Sequence, residues 1–372
     1  MTSNSHRVRR VAGLGVVGAA AAATTAVLTL PAGAVTPPSF LGQFATPSQI
    51  GSTVPGNGDL NPYGVAVVDQ NAGRLVKGDV LVSNFNNDVN PPGGEQGRGS
   101  TIVEINPKTG KQTLFAQITG IKGGVGLTTA LSILPGGIVV VGNLPTSDGT
   151  SATATRGGLL VLNSQGNLLE NIVRPDINGP WDMTAVSNGT LSVLFVTNVL
   201  NGTVAGGGDV VNQGTVDRVV LNRLTPVPQV VGNTIIGSGF DEKTDPNALV
   251  IGPTGDALAP NGTLYVADTL NNAIRAIPNA LLRPNAAGTG QLVSQGNELN
   301  GPLGMTLAPN GDILTVNSGD GNAVETTPGG SQVANPTLSS GGAGALFGIA
   351  LKPDNSGLYF VDDSNNTLNL FH

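Results

Sequence analysis

The first residues that could do chemistry are six strand-ending polar side chains: Asn84, Asn143, Asn198, Asp268, Asn317 and Asp362. Each closes an apolar run, and oxygens gathered near one axis would suit a hard cation such as Ca²⁺. Asp182 stands apart. In GPWDMTA it follows Trp181, the only tryptophan, where equivalent segments carry Gly64, Thr128, Gly304 and Gly348. A carboxylate beside an indole would contact a cation or a ligand. The candidate ligand-binding residues are therefore Trp181, Asp182, Asn84, Asn143 and Asn198, and the candidate metal ligands are Asp182, Asp268 and Asp362. Nitrogen and sulfur chemistry is poorly supplied. The chain has no cysteine, and its two histidines are His6 and His372. An imidazole-based triad and a zinc site of the usual N/S type are thereby disfavoured, and no catalytic residue is assigned.

A plainer role competes for the six endings. Asn and Asp at strand ends bond the backbone of the following turn, and recurrence in every repeat favours that role. GGVGLTTA (Gly123–Ala130) lacks the Lys-Ser/Thr ending and the following helix of a phosphate loop. Asn188-Gly189-Thr190 and Asn261-Gly262-Thr263 are tight-turn sequences, which explains them without glycosylation.

The elements that position these residues form a cassette that returns six times: apolar strand, Gly-bearing turn, apolar strand, Asn or Asp. Clear copies are GPLGMTLAPNGDILTVN, IGPTGDALAPNGTLYVAD and LFGIALKPDNSGLYFVDD. Each is followed by one or two further strand-like runs. Four antiparallel strands per repeat is the blade of a β-propeller, and the chain reads as all-β with six blades. After Asp362-Asp363 only one strand remains. The isolated run Ser39–Thr46 is expected to pair with Thr367–Phe371 and close the last blade, removing exposed edges. Long insertions follow the strand endings of the first three blades: Phe85–Ser100, Leu144–Gly157 and Val199–Gly214. Loops of this length on a rigid scaffold are where binding concentrates.

Residues 1–34 read as a signal peptide: Arg7, Arg9 and Arg10, then Val11–Leu30 without charge, then Ala32-Gly33-Ala34. Export is expected by the general secretory route, with Arg9-Arg10 also permitting the twin-arginine one. An uncleaved segment would anchor the chain in a membrane. Residues 35–372 then form a single propeller domain, secreted or held in the cell envelope. The net charge of −7 and the absence of basic clusters argue against nucleic acid.

LYVADTLNNAI (Leu264–Ile274) resembles the core of the NHL repeat, and LYFVDDSNNTLNLF (Leu358–Phe371) repeats its signature. The resemblance is strongest over residues 247–372. These blades also resemble a broader six-bladed group that includes gluconolactonase-like and paraoxonase-like hydrolases and streptogramin lyases. The resemblance implies a six-bladed propeller with a binding face at one end of its channel. The leading expectation is an extracellular binding module for a glycan, peptide or protein, with its ligand face built from the long loops of blades 1–3 and with no cofactor. The alternative is a Ca²⁺-assisted hydrolase or lyase of the lactonase-like kind.

Overall fold

The computed structural model describes residues 38–87, 95–246 and 248–372. The expected signal peptide, residues 1–34, lies outside them. Among the described residues no helix is long and apolar enough to cross a membrane.

Six antiparallel sheets follow one another along the chain, five built from consecutive strands and the sixth from the last three strands and the first. Their innermost strands are Asp59–Val67, Leu127–Leu134, Pro180–Asn188, Pro253–Leu258, Pro302–Leu307 and Leu346–Leu351. The architecture is a six-bladed β-propeller with four strands per blade. Blade 3 is elaborated: its fourth strand continues to 17 residues, Gln229–Asp245, and folds back onto Leu249–Ile251.

Neighbouring blades pack inner strand against inner strand, and glycine permits that approach. A Cβ on Gly255, Gly304 or Gly348 would lie 2.1, 2.0 or 2.1 Å from the carbonyl oxygen of Leu303, Phe347 or Tyr63 on the next blade. Any side chain there would push the blades apart.

An N-terminal strand closes the last blade, but it begins later than the apolar pattern indicates. Pro47–Ser52 pairs with Thr367–Phe371, with Pro47 opposite Phe371. Ser39–Thr46 instead holds a 3-10 turn, Leu41–Gln43. Phe40 and Leu41 are buried against Leu346, Phe360 and Phe371. The buried Glu325 carboxylate fixes this turn, accepting hydrogen bonds from the Phe40 and Leu41 amides at 2.7 Å each and from Ser39 Oγ at 2.6 Å. The apolar run thus anchors the segment, and the polar run after it supplies the strand.

The three long insertions pack on one another as well as facing solvent. Leu144, Ala154, Val199, Leu200, Leu249 and Val250 share one buried cluster with Tyr63, Phe85, Trp181 and Phe347. Ser151 Oγ donates to the Leu249 carbonyl at 2.6 Å, and Thr146 Oγ1 donates to that of Gln96 at 2.6 Å. Together they cap part of the face where the innermost strands begin.

Candidate functional site

The innermost strands surround the axis and leave two cavities along it. One, about 250 Å³, lies within the channel and is lined by all six blades, including Val65, Leu131, Asp182, Met183, Asp256, Met305 and Ile349. The upper one, about 450 Å³, lies toward the strand starts, between blades 5, 6 and 1 and the folded-back segment of blade 3. Its walls include Asn61, Trp181, Asp245, Ile251, Leu303, Phe347 and Asp363.

The innermost strand of blade 3 divides the pair that the sequence presents as one site. The pairing is irregular between Pro180 and Met183, and there Trp181 lines the upper cavity while Asp182 and the three residues after it line the channel. Trp181 belongs to an aromatic layer. Tyr63 stacks on Phe347 with centroids 4.0 Å apart and on Phe85 at 4.6 Å, and Trp181 leans on Tyr63 at 5.8 Å and 50°. Flat, buried rings of this kind give the upper cavity a rigid apolar floor.

Asp182 is buried, with its amide taking a bond to Thr197 Oγ1 at 3.0 Å and its Oδ1 accepting from the Met183 amide at 2.8 Å. Burial lifts its carboxyl to about 7, against the lowering effect of the Met183 bond. Beside it in the channel is Asp256, which sequence reading does not single out. Pairing places Val65, Leu131, Met183, Asp256, Met305 and Ile349 at one register, each opposite the residue two before the strand-ending residue of the partner strand. Five of the six are apolar, and Asp256 is the exception. Aligning the cassettes at this position would have exposed it. Neither Asp256 carboxyl oxygen has a partner of good hydrogen-bond geometry, although the Thr184 hydroxyl and amide lie near enough to lower its pKa. Burial, and then the neighbouring Asp182, push its carboxyl well above the ordinary range.

The strand-ending residues are brought to one end of the propeller, but each is engaged within its own blade or loop. Asn84 donates to the Thr53 carbonyl at 3.0 Å and to Thr101 Oγ1 at 3.2 Å. Asn143 accepts from the Gly126 amide at 2.8 Å and donates to the Gly124 carbonyl. Asn198 accepts from the Asn178 amide and donates to Asp217, while Asn317 accepts from the Asn300 amide. Asp268 holds Arg275 Nε and Asn271 Nδ2, each at 2.9 Å. Asp362 accepts from the Ser364 amide and hydroxyl. Asp182, Asp268 and Asp362 therefore do not share a cavity. Among the described residues, no three His, Cys, Asp or Glu side chains cluster as a metal centre.

The upper cavity has oxygens of its own. Asp363, next to Asp362 and facing the other way, is lifted to about 7 by burial, opposed by a hydrogen bond from Asn61 and reinforced by Asp362. Asn61 adopts a left-handed φ of 63°, and its Oδ1 is buried without a partner. Asp245 reaches the cavity from the end of the long blade 3 strand. Asp363 and Asp245 both act on the Tyr63 phenol, although burial is the larger reason its pKa rises.

No protein-family model matches the chain, and no curated protein matches it in sequence. Solved structures do resemble it. Regucalcin, a calcium-binding protein from Agrobacterium tumefaciens, superposes with a TM-score of 0.53 at 15% identity over 88% of this chain and 93% of that one. A gluconolactonase from Xanthomonas campestris gives 0.49 at 12% identity over 88% and 95%. Virginiamycin B lyase from Staphylococcus aureus gives 0.47 at 17% over 88% of each chain. At this identity the likeness to regucalcin shows a shared propeller fold and nothing more. What the chain does must come from its own residues.

Proposed function

We propose that this protein is a hydrolase or lyase of the lactonase-like propeller kind, acting on a small ring-containing ester or lactone in the upper cavity. The observation that carries the reading is the cavity itself: an aromatic floor beneath a buried, unpartnered Asn61 Oδ1 and two carboxylates, Asp245 and Asp363. A volume of about 450 Å³ falls in the range of small-molecule sites. The proteins of similar fold named as a gluconolactonase and as a calcium-binding protein lend the reading a precedent only.

The donor set fits a hard cation. Asn61 Oδ1 is an oxygen with no protein hydrogen bond, and the flanking carboxylates would balance a double charge. Asn61, Asp245 and Asp363 would hold Ca²⁺, which when bound would supply Lewis acidity toward a carbonyl without histidine. The chain's own side chains do the rest. Trp181, Phe347 and Leu303 bind and orient the apolar part of the substrate. Ala343, Gly344 and Ala345 form a wall small enough to leave room for a ring. The cap of blades 1–3 limits water on one side.

Export by the residue 1–34 leader would place this activity outside the cytoplasm, on an extracellular or envelope substrate. The test is turnover of a panel of lactones with and without Ca²⁺, alongside quenching of Trp181 fluorescence. Ca²⁺-dependent turnover that fails in Asn61→Ala supports the reading. Quenching without turnover by any member would return the protein to a binding module.

A further inference from the structure

The face opposite the cap departs from the repeat in a way the proposed reaction does not use. Each blade turns there between its third and fourth strands. In blades 1, 2 and 5 these turns, residues 106–111, 163–167 and 327–331, carry no exposed large apolar side chain. Blades 3 and 4 differ. Leu224, within residues 223–228, is 71% exposed, and Leu282, within residues 278–290, is 86% exposed with Leu281 beside it. They are the two most exposed large apolar side chains among the described residues. Both tips are pinned at the base. Arg218 Nη1 donates to the Ala280 and Arg283 carbonyls at 2.9 Å each, and the buried Ala280 donates its amide to the Gly262 carbonyl at 2.8 Å. Arg223 donates to the Gly189 carbonyl and to Ser192 Oγ at 2.7 Å each, and reaches the Pro135 carbonyl of blade 2. The turns of blades 2, 3 and 4 on this face are residues 135–137, 163–167, 188–190, 223–228, 259–263 and 278–290. They hold two arginines, Arg223 and Arg283, and no carboxylate, in a chain with 24 acidic residues. Both guanidinium groups bond carbonyl or hydroxyl oxygens, so their charge is not neutralised.

We propose that this face docks on an anionic lipid surface, with Leu224, Leu281 and Leu282 entering the interface and Arg223 and Arg283 lying against the headgroups. Leucines at projecting tips, flanked by arginine and free of acid, suit a surface that is apolar inside and negative outside. The patch continues onto blade 2, where Pro135, Ile138 and Leu169 share a shallow groove with Leu224 and Pro226. Charge also sets the orientation. The same lipid would repel the acidic remainder of the chain, so only this face can approach it closely. A second copy of the chain is the competing partner, but two such patches set face to face would oppose arginine to arginine. Docked in this way, the propeller turns the cap and the upper cavity toward water. The docking is therefore independent of the reaction proposed there.

The test is flotation of the exported form, residues 35–372, with vesicles of phosphatidylcholine alone or mixed with phosphatidylglycerol. That form holds all six blades and the closing strand, and it lacks the apolar leader, which would bind lipid by itself. The wild type should float with the mixed vesicles and be partly released by salt. Leu224→Ser combined with Leu282→Ser should weaken binding by about tenfold or more. The double variant should melt within about 2 °C of the wild type, because both side chains are exposed. Failure of the wild type to float with mixed vesicles, or binding unchanged in the double variant, would overturn the proposal. Equal binding to phosphatidylcholine alone would overturn the anionic assignment. A wild-type dimer in sedimentation that the double variant loses, without flotation, would overturn it in favour of contact between copies.

Discussion

Asp268 and Asp256 lie on adjacent strands of one blade, and both are buried. Asp268 is surrounded by donors, with Arg275 and Asn271 each 2.9 Å away. Asp256 has none of good geometry. The same contrast separates Asp362, bonded to its own turn, from Asp363 beside it, which lines the upper cavity. A buried carboxylate that the fold satisfies is part of the architecture. One that the fold leaves unsatisfied needs an occupant or a proton. Most of the propeller's repeated strand-ending residues belong to the first kind, with the partnerless Asn84 Oδ1 an exception, and among the cavity carboxylates Asp256 comes nearest the second.

The sharpest way to break this contrast is Asp268→Ala. It leaves the partly buried Arg275 unpaired, and unfolding measurements should show a loss of about 3–5 kcal/mol. A loss below about 1 kcal/mol would mean that the ion pair contributes little to the blade.

The pH dependence tests the unsatisfied group. Burial lifts Asp182, Asp217 and Asp363 to about 7 and Glu242 to about 8. Each folded-state value exceeds the unfolded one, so the folded protein holds more protons between about pH 4 and pH 8. In metal-free buffer, stability should therefore fall as pH rises through that window, each group contributing up to about 4 kcal/mol. Asp256→Asn should reduce the fall and raise the metal-free Tm at pH 8, with little effect near pH 4. A flat profile in the wild type would contradict the assigned burial.

Asn143→Ala deletes one bond from the Gly126 amide and one to the Gly124 carbonyl, and should cost about 1–3 kcal/mol without altering ligand binding. Ser48→Ala on the exposed closing strand should change stability by no more than about 0.5 kcal/mol.

The fold was legible because each cassette repeats the same apolar period and the same turn chemistry. The closing strand was harder to place. Phe40 and Leu41 are the densest apolar signal near the N-terminal end of the propeller, yet they are buried through a turn clasped by Glu325. The strand itself, PSQIGS, lies at a sheet edge with little buried surface and so shows no alternation. The site was legible in part. Asp182 and Trp181 stood out as departures from the repeat, and both line axial cavities. Their proximity in sequence concealed that a strand sends them to different ones. Asp256 was hidden by Gly255-Asp256, which reads as turn chemistry until the blades are aligned by pairing. Asp245 could not be reached at all, because only the folded-back hairpin of blade 3 brings it to the cavity of Asn61 and Asp363.

The central claim is that the upper cavity is the reaction site, and the most direct measurement is Ca²⁺-dependent lactone turnover by the wild type, Asn61→Ala and Asp256→Asn. The account predicts that Asn61→Ala lowers kcat/KM by roughly 100-fold or more, as expected for loss of an oxygen that organises the electrophile, while Asp256→Asn at saturating Ca²⁺ stays within about threefold of the wild type. Turnover unchanged by Asn61→Ala, or lost only with Asp256, would contradict it.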